Sequence, residues 1–153
     1  MREHFSYLCK SISDHDHREL KGEDVLGIFM DHYLNVHSPI GLGEIHLTRH
    51  GAEVRANVTF LRHGKPTTIA ASGNGSLYAV SQALHDYTGS KYTLKVYTEH
   101  SVQEKASNST AAAYIGIEAE DGTMHYGAGT NTDITRASIY ALLSAYNNMI
   151  KGA

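Results

Sequence analysis

Gly73-Asn74-Gly75-Ser76-Leu77-Tyr78-Ala79-Val80-Ser81-Gln82-Ala83-Leu84 and, later, Gly129-Thr130-Asn131-Thr132-Asp133-Ile134-Thr135-Arg136-Ala137-Ser138-Ile139-Tyr140-Ala141-Leu142 decide the fold. Each runs from a turn into an amphipathic helix. Ala79-x-x-x-Ala83-Leu84 and Ala137-x-x-x-Ala141-Leu142 match at a separation of 58 residues, which reads as an internal repeat. Leu77, Val80, Leu84 and Tyr87 place one apolar stripe on the first helix, and Ile139, Leu142, Leu143, Tyr146 and Ile150 place one on the second, over residues 134–150.

Upstream of each helix the apolar period changes from 3.6 to two. Ile45 and Leu47, then Val54, Ala56, Val58 and Phe60, alternate with polar residues about a turn at His50-Gly51, which predicts two antiparallel strands. Arg62-His63-Gly64-Lys65-Pro66 turns into a third strand at residues 67–71. After the first helix the same order returns. Residues 92–97 and 111–119 read as strands, Asp121-Gly122 turns into a third at 123–128, and 129–133 form the loop before the closing helix. The expected fold is α+β, two βββα units (residues 42–89 and 91–151) related by a pseudo-twofold axis, with sheet on one side and helices on the other.

The chain before the repeat is of another kind. Phe5, Leu8, Cys9 and Ile12 mark a short helix over residues 2–12, and Val25, Ile28, Phe29 and Tyr33 a second over 22–34, with Glu23 and Asp24 favouring its N-terminal dipole. Residues 35–41, with Pro39, read as a linker. Residues 1–38 are thus expected to be a helical subdomain with its linker, and 39–153 the principal domain.

With 153 residues and 41% of them hydrophobic, the chain can build a core without disulfides or structural metal, but a (β/α)₈ barrel needs about 250 residues and is excluded. Thirteen basic against sixteen acidic residues give a net charge of −3 with no basic stripe, so nucleic acid is not an expected partner. No apolar run reaches membrane-spanning length and the first residues lack a signal peptide's apolar stretch, so the expected location is cytoplasmic with no membrane contact. The lone Cys9 has no internal partner and reads as a buried thiol. Eleven histidines and ten tyrosines assign no function by themselves.

Several short motifs bear on chemistry. Gly73-Asn74-Gly75 stands where a strand enters a helix, an anion-seeking arrangement or simply an entry turn. It is not a dinucleotide fingerprint, since position 78 is Tyr78 and no P-loop lysine follows. Asp14-His15-Asp16-His17 offers metal-ligating groups but no third and fourth ligand on rigid elements, so no metal is expected in this chain. Glu99, His100 and Ser101 alternate across a strand and cannot form a triad among themselves, so no catalytic residue is assigned. Ser107 to Ala113 are very small and leave room for a ligand, a partner backbone or a helix, while Thr132 or Asp133 fits either a helix cap or a ligand contact.

Taken together, Gly73-Asn74-Gly75, Tyr97-Thr98-Glu99-His100, Ser109-Thr110-Ala111-Ala112-Ala113-Tyr114 and Tyr126-Gly127-Ala128-Gly129-x-x-x-Asp133-Ile134-x-x-Ala137-Ser138 resemble the C-terminal regulatory domain of 2-isopropylmalate synthase. That family carries a Gly-Asn-Gly-Pro loop, a Tyr-x-Glu-His strand end, an Ala-Ala-Tyr strand and a Trp-Gly-Val-Gly loop. His4-Phe5-Ser6 and Phe29-x-x-x-Tyr33-Leu34 resemble the helical subdomain that precedes it. Ser76, Tyr126, Tyr78 and Ser101 depart from the pattern, replacing a proline, a tryptophan, a small residue and an alanine.

The resemblance implies a homodimer that binds leucine as feedback inhibitor. It also implies, in the parent enzyme of leucine biosynthesis, a catalytic barrel that condenses acetyl-CoA with 2-oxoisovalerate on a divalent metal. That barrel is expected to be a partner absent from this chain, which would then be inactive alone and hold no cofactor of its own. The helix-entry amides about Gly73, Asn74 and Gly75 would receive the leucine carboxylate and Asp133 would face its ammonium. Leu77, Leu94, Tyr97 and Ala111 would line the apolar pocket, and the family's contacts also carry over to Ser101 and Ser109. Four other readings stay open at this point: the isoleucine-responsive domain of citramalate synthase, a free-standing amino-acid-binding and dimerisation module, a dimerisation module whose sensor has decayed, and a small enzyme using the histidines.

Overall fold

The structure, a computed structural model, describes residues 32–103 and 109–151. In order these form β1 (Ile40–His50), β2 (Glu53–Arg62), β3 (Lys65–Gly73), α1 (Ser76–Thr88), β4 (Tyr92–Gln103), β5 (Ser109–Ala119), β6 (Met124–Asn131) and α2 (Ile134–Ile150). The expected helix over 2–12, the Asp14–His17 motif, Cys9 and most of the second N-terminal helix lie outside the described residues. His32 and Tyr33 are helical.

Two antiparallel sheets, ordered β1-β2-β3 and β4-β5-β6, are each followed by a helix, so the βββα unit occurs twice as the repeat predicts. Val54, Ala56, Val58 and Phe60 alternate inward on β2, as do Ala111, Ala113, Ile115 and Ile117 on β5, and all are buried. Ala79, Val80, Ala83 and Leu84 of α1 meet the first set, and Ile139, Leu142 and Tyr146 of α2 join both in one continuous core. Helix α1 packs on β2 and β3, α2 on β5 and β6, and the two helices touch each other.

Small residues set how close α2 comes. A Cβ on Gly129 would stand 2.1 Å from the Ala137 carbonyl oxygen, and one on Gly127 would stand 2.3 Å from the Ala145 nitrogen. Only hydrogen fits there. Ala137, Ala141 and Ala145, none of them exposed, present the matching face of the helix.

Five strands run longer than the alternation indicates, β3 spanning Lys65–Gly73 rather than 67–71 and β5 beginning at Ser109 rather than Ala111. β6 continues to Asn131 because Gly129 and Asn131 pair with Ala113 and Ala111. β4 continues past Tyr97 to Gln103 because β5 supplies a partner at every position, from Glu99 opposite Ala113 to Gln103 opposite Ser109. β1 begins at Ile40, opposite Arg62, rather than at Leu42.

Three buried side chains of α2 hold the segment leading into β1. Asn147 Oδ1 accepts from the Ile40 amide at 3.0 Å, while its Nδ2 donates to the Val36 and Ile40 carbonyls at 2.8 and 2.9 Å. Ser144 Oγ accepts from the Val36 amide at 2.7 Å. Asn148 Nδ2 donates to the His32 and Tyr126 carbonyls. On the sheet side, the Asn35 amide donates to the Ala128 carbonyl, so residues 34 and 35 lie along β6.

Candidate effector site

At the junction of the two units the start of α1, the middle of β4 and the first turns of α2 enclose a pocket of about 360 Å³, within the range of small-molecule sites. Asn74, Gly75, Ser76, Leu77 and Tyr78 line it from α1, Leu94, Tyr97 and Glu99 from β4, and Ile134, Thr135 and Ser138 from α2. The strand contribution follows from alternation. Leu94, Tyr97 and Glu99 stand opposite Ile117, Ile115 and Ala113 and so share the face turned to the helices, a register shift between Leu94 and Val96 restoring the phase. The helix contribution follows from the i, i+4 relation of Ile134 and Ser138.

The two helix N-termini differ. Asp133 caps α2 by accepting from the Thr135 amide at 2.9 Å. Gly75 stands at the same position of α1 with φ 113° and no side-chain cap, and a Cβ there would meet nothing within 4 Å. The first-turn amides of α1 therefore have neither an intrahelical acceptor nor a capping side chain, and the residues that carry them, Ser76, Leu77 and Tyr78, line the pocket.

Polar contacts concentrate at one wall. The Tyr97 hydroxyl donates to Glu99 Oε2 and stands 2.6 Å from Ser138 Oγ, which in turn has the Ile134 carbonyl at 2.9 Å. Burial of the ring and the neighbouring Glu99 carboxylate both hold the Tyr97 phenol above its ordinary value, so it keeps its proton at neutral pH. Among the described lining residues Glu99 alone is charged. Tyr78 and Tyr97, 56% and 40% exposed, form an open rim.

The structure thus brings together five of the residues singled out from sequence: Asn74, Gly75, Leu77, Leu94 and Tyr97. Gly73 ends β3 one step away, where a Cβ would stand 2.5 Å from the Ala79 nitrogen, and it lines a separate shallow depression with Ala52 and Glu53. Asp133 opens on a different groove, beside Ile45, Leu47 and Arg136. Ala111 is buried in β5, between Ser101 of β4 and Asn131 of β6, and does not line the pocket. Ser101 and Ser109 fall on paired strand backbone toward that same end of the sheet. Sequence reasoning assigned no contact to Ser76, Glu99, Ile134, Thr135 or Ser138. Glu99 was within reach, lying two residues beyond Tyr97 on a strand, and Ser138 one turn beyond Ile134 on a helix.

Among the described residues no group of three or more His, Cys, Asp or Glu side chains could hold a metal ion, and no helix is long and apolar enough to cross a membrane.

Two βββα units with an open pocket where their helices begin define the class, an α+β module built from a repeated unit. The chain belongs to the family described as the LeuA allosteric (dimerisation) domain, whose model matches residues 19–150. It is 38% identical over 151 residues to a 2-isopropylmalate synthase of Desulfitobacterium hafniense, covering 99% of this chain and 27% of that protein. It is 32% identical to the 2-isopropylmalate synthase of Helicobacter hepaticus and 33% to that of Clostridium acetobutylicum, covering 97% and 96% of this chain and 28% and 27% of those proteins. The chain therefore spans about a quarter of the length of these relatives.

Proposed function

We propose that the chain is the leucine-sensing and dimerising part of a 2-isopropylmalate synthase, acting in the cytoplasm on a catalytic barrel that condenses acetyl-CoA with 2-oxoisovalerate. The observation that carries this is the pocket at the junction of the units. Leu77, Leu94 and Ile134 offer apolar walls to a branched aliphatic side chain, and the uncapped start of α1 at Asn74 and Gly75 offers amides to a carboxylate. Gly73 fixes the approach of that turn to α1.

Dimerisation fits the same surface. The exposed rings of Tyr78 and Tyr97 leave the rim open, and a second copy related by a twofold axis would cover it with the same patch. Effector binding near such a contact would shift the balance between two dimer arrangements, with coupling of about 1–3 kcal/mol in typical allosteric proteins.

Calorimetric titration with leucine, isoleucine and valine tests the sensor, and light scattering tests the dimer. The expected results are preferential leucine binding, a raised Tm and a dimeric mass at tens of micromolar. Isoleucine preference would move the reading to a citramalate synthase domain, and no response to any of the three at millimolar concentration would remove the sensor altogether.

A further inference from the structure

We propose that the Glu99 carboxylate is the acceptor for the ammonium group of an aliphatic α-amino acid bound in this pocket, a step that rests on the effector reading above. The sequence offered Asp133 for that role, yet Asp133 is engaged by the Thr135 amide and opens on another groove. Glu99 is the charged residue among the described lining of the pocket, and that lining includes no Lys, Arg or His. A zwitterion lying against Leu77, Leu94 and Ile134 gives up part of its hydration even in an open pocket, and a counter-charge for its ammonium offsets that cost.

The carboxylate is also held in place for the task. Tyr97 donates its hydroxyl hydrogen to Oε2, and Ser138 Oγ, whose one hydrogen is shared between the Ile134 carbonyl and the Tyr97 oxygen, lies 2.6 Å from that oxygen, a contact between β4 and α2. A carboxylate accepts at about four lone-pair sites, so one bond from Tyr97 leaves room for a second, charge-assisted bond. Fixing the acceptor before the ligand arrives lowers the ordering cost of binding. Glu99 then distinguishes amino acids from the corresponding fatty and 2-oxo acids, which share the carboxylate and the branched chain but lack the ammonium.

A two-by-two titration tests this with the 153-residue chain: wild type and Glu99→Gln, each with leucine and with 4-methylpentanoate, which is leucine without its amino group. Wild type should prefer leucine, and Glu99→Gln should weaken leucine by roughly ten- to hundred-fold while leaving 4-methylpentanoate unchanged within a factor of about three. Tyr97→Phe, which keeps the ring and releases the carboxylate, should give a smaller loss confined to leucine. If Glu99→Gln weakens both ligands equally, or neither, Glu99 does not meet the ammonium and the inference is overturned while the effector reading stands. If wild type binds neither leucine, isoleucine nor valine, the effector reading fails and this inference with it. Circular dichroism of Glu99→Gln checks folding, and should that variant misfold, Glu99→Asp takes its place, expected to retain part of the preference for leucine; its complete retention of the wild-type affinities together with a neutral Tyr97→Phe would overturn the inference.

Discussion

Truncation of Asn147 tests how the domain holds the segment that leads into it. The Asn147 side chain makes three hydrogen bonds to backbone groups of Val36 and Ile40, and both Asn147 and Ile40 are fully buried. Each such bond has a net worth of about 0.5–1.5 kcal/mol, so Asn147→Ala should cost about 3 kcal/mol. By the same reckoning Asn148→Ala, with two bonds, should cost about 2 kcal/mol and Ser144→Ala, with one, about 1 kcal/mol. Urea unfolding followed by far-ultraviolet circular dichroism, extrapolated linearly at fixed protein concentration, reads these differences directly. In thermal melts the Asn147 variant should lose roughly 6–12 °C, at 2–4 °C per kcal/mol for a chain of this size. Asn147→Leu separates polarity from volume. It refills the space but leaves the three backbone groups without their partner, so it should remain destabilised by at least about 2 kcal/mol. An Asn147→Ala cost below about 0.5 kcal/mol, the level of an ordinary surface substitution, would refute the reasoning. So would a larger cost for Ser144→Ala than for Asn147→Ala.

Other perturbations probe the packing, the loop and the tyrosines. Gly129→Ala places a Cβ 2.1 Å from the Ala137 carbonyl oxygen, so it should cost about 1–3 kcal/mol or more in urea unfolding and prise α2 from β6; an unchanged midpoint would contradict the close approach. Gly75→Val puts a β-branched residue at φ 113° on the pocket rim; calorimetry should find the leucine response abolished with the fold mostly kept, and retained affinity would show that the loop is only a turn. Burial raises the Tyr92 phenol well above its ordinary 10.0, outweighing its hydrogen bond to Ser81. A raised folded-state value stabilises the fold below the unfolded value and loses that stability as pH climbs past it, so the contribution of Tyr92 to the unfolding free energy should be constant below about pH 10 and fall above it. Tyr92→Phe should flatten that fall, and an unchanged alkaline profile in this variant would assign it elsewhere.

How far the fold could be read from the chain follows from where polarity alternates. β2 was legible because Val54, Ala56, Val58 and Phe60 face the core while Arg55, Asn57 and Thr59 face away. α2 was legible end to end because its apolar stripe runs unbroken to Ile150. The far halves of β4 and β6 were not. Thr98 to Ser101 are all polar, and Gly127-Ala128-Gly129 are all small, so neither stretch carries a period. What extends them is tertiary: β5 pairs with both, and α2 demands hydrogen in place of a side chain on β6. The Asn147 clamp was equally silent, since a mid-helix asparagine in sequence does not say whether it faces water or a buried backbone.

The site was legible on the α1 side and only partly on the α2 side, and the repeat explains the difference. Gly75 and Asp133 are separated by the same 58 residues that relate the two Ala-x-x-x-Ala-Leu helices, so they occupy one position of the βββα unit, the helix N-cap. In the second unit that position carries an oxygen ligand for its own helix, and the amide of Thr135 is thereby satisfied from within. In the first unit the same position carries no side chain at all. The repeated βββα fold therefore builds two equivalent helix entrances and caps one of them with a side chain, leaving the other uncapped beside the pocket. Read through the offset, Asp133 is the counterpart of the turn that opens the site, which is why a carboxylate so near to Ile134 and Thr135 lies on another groove. The acid that does line the pocket comes from β4, where only alternation from Tyr97 could have found it.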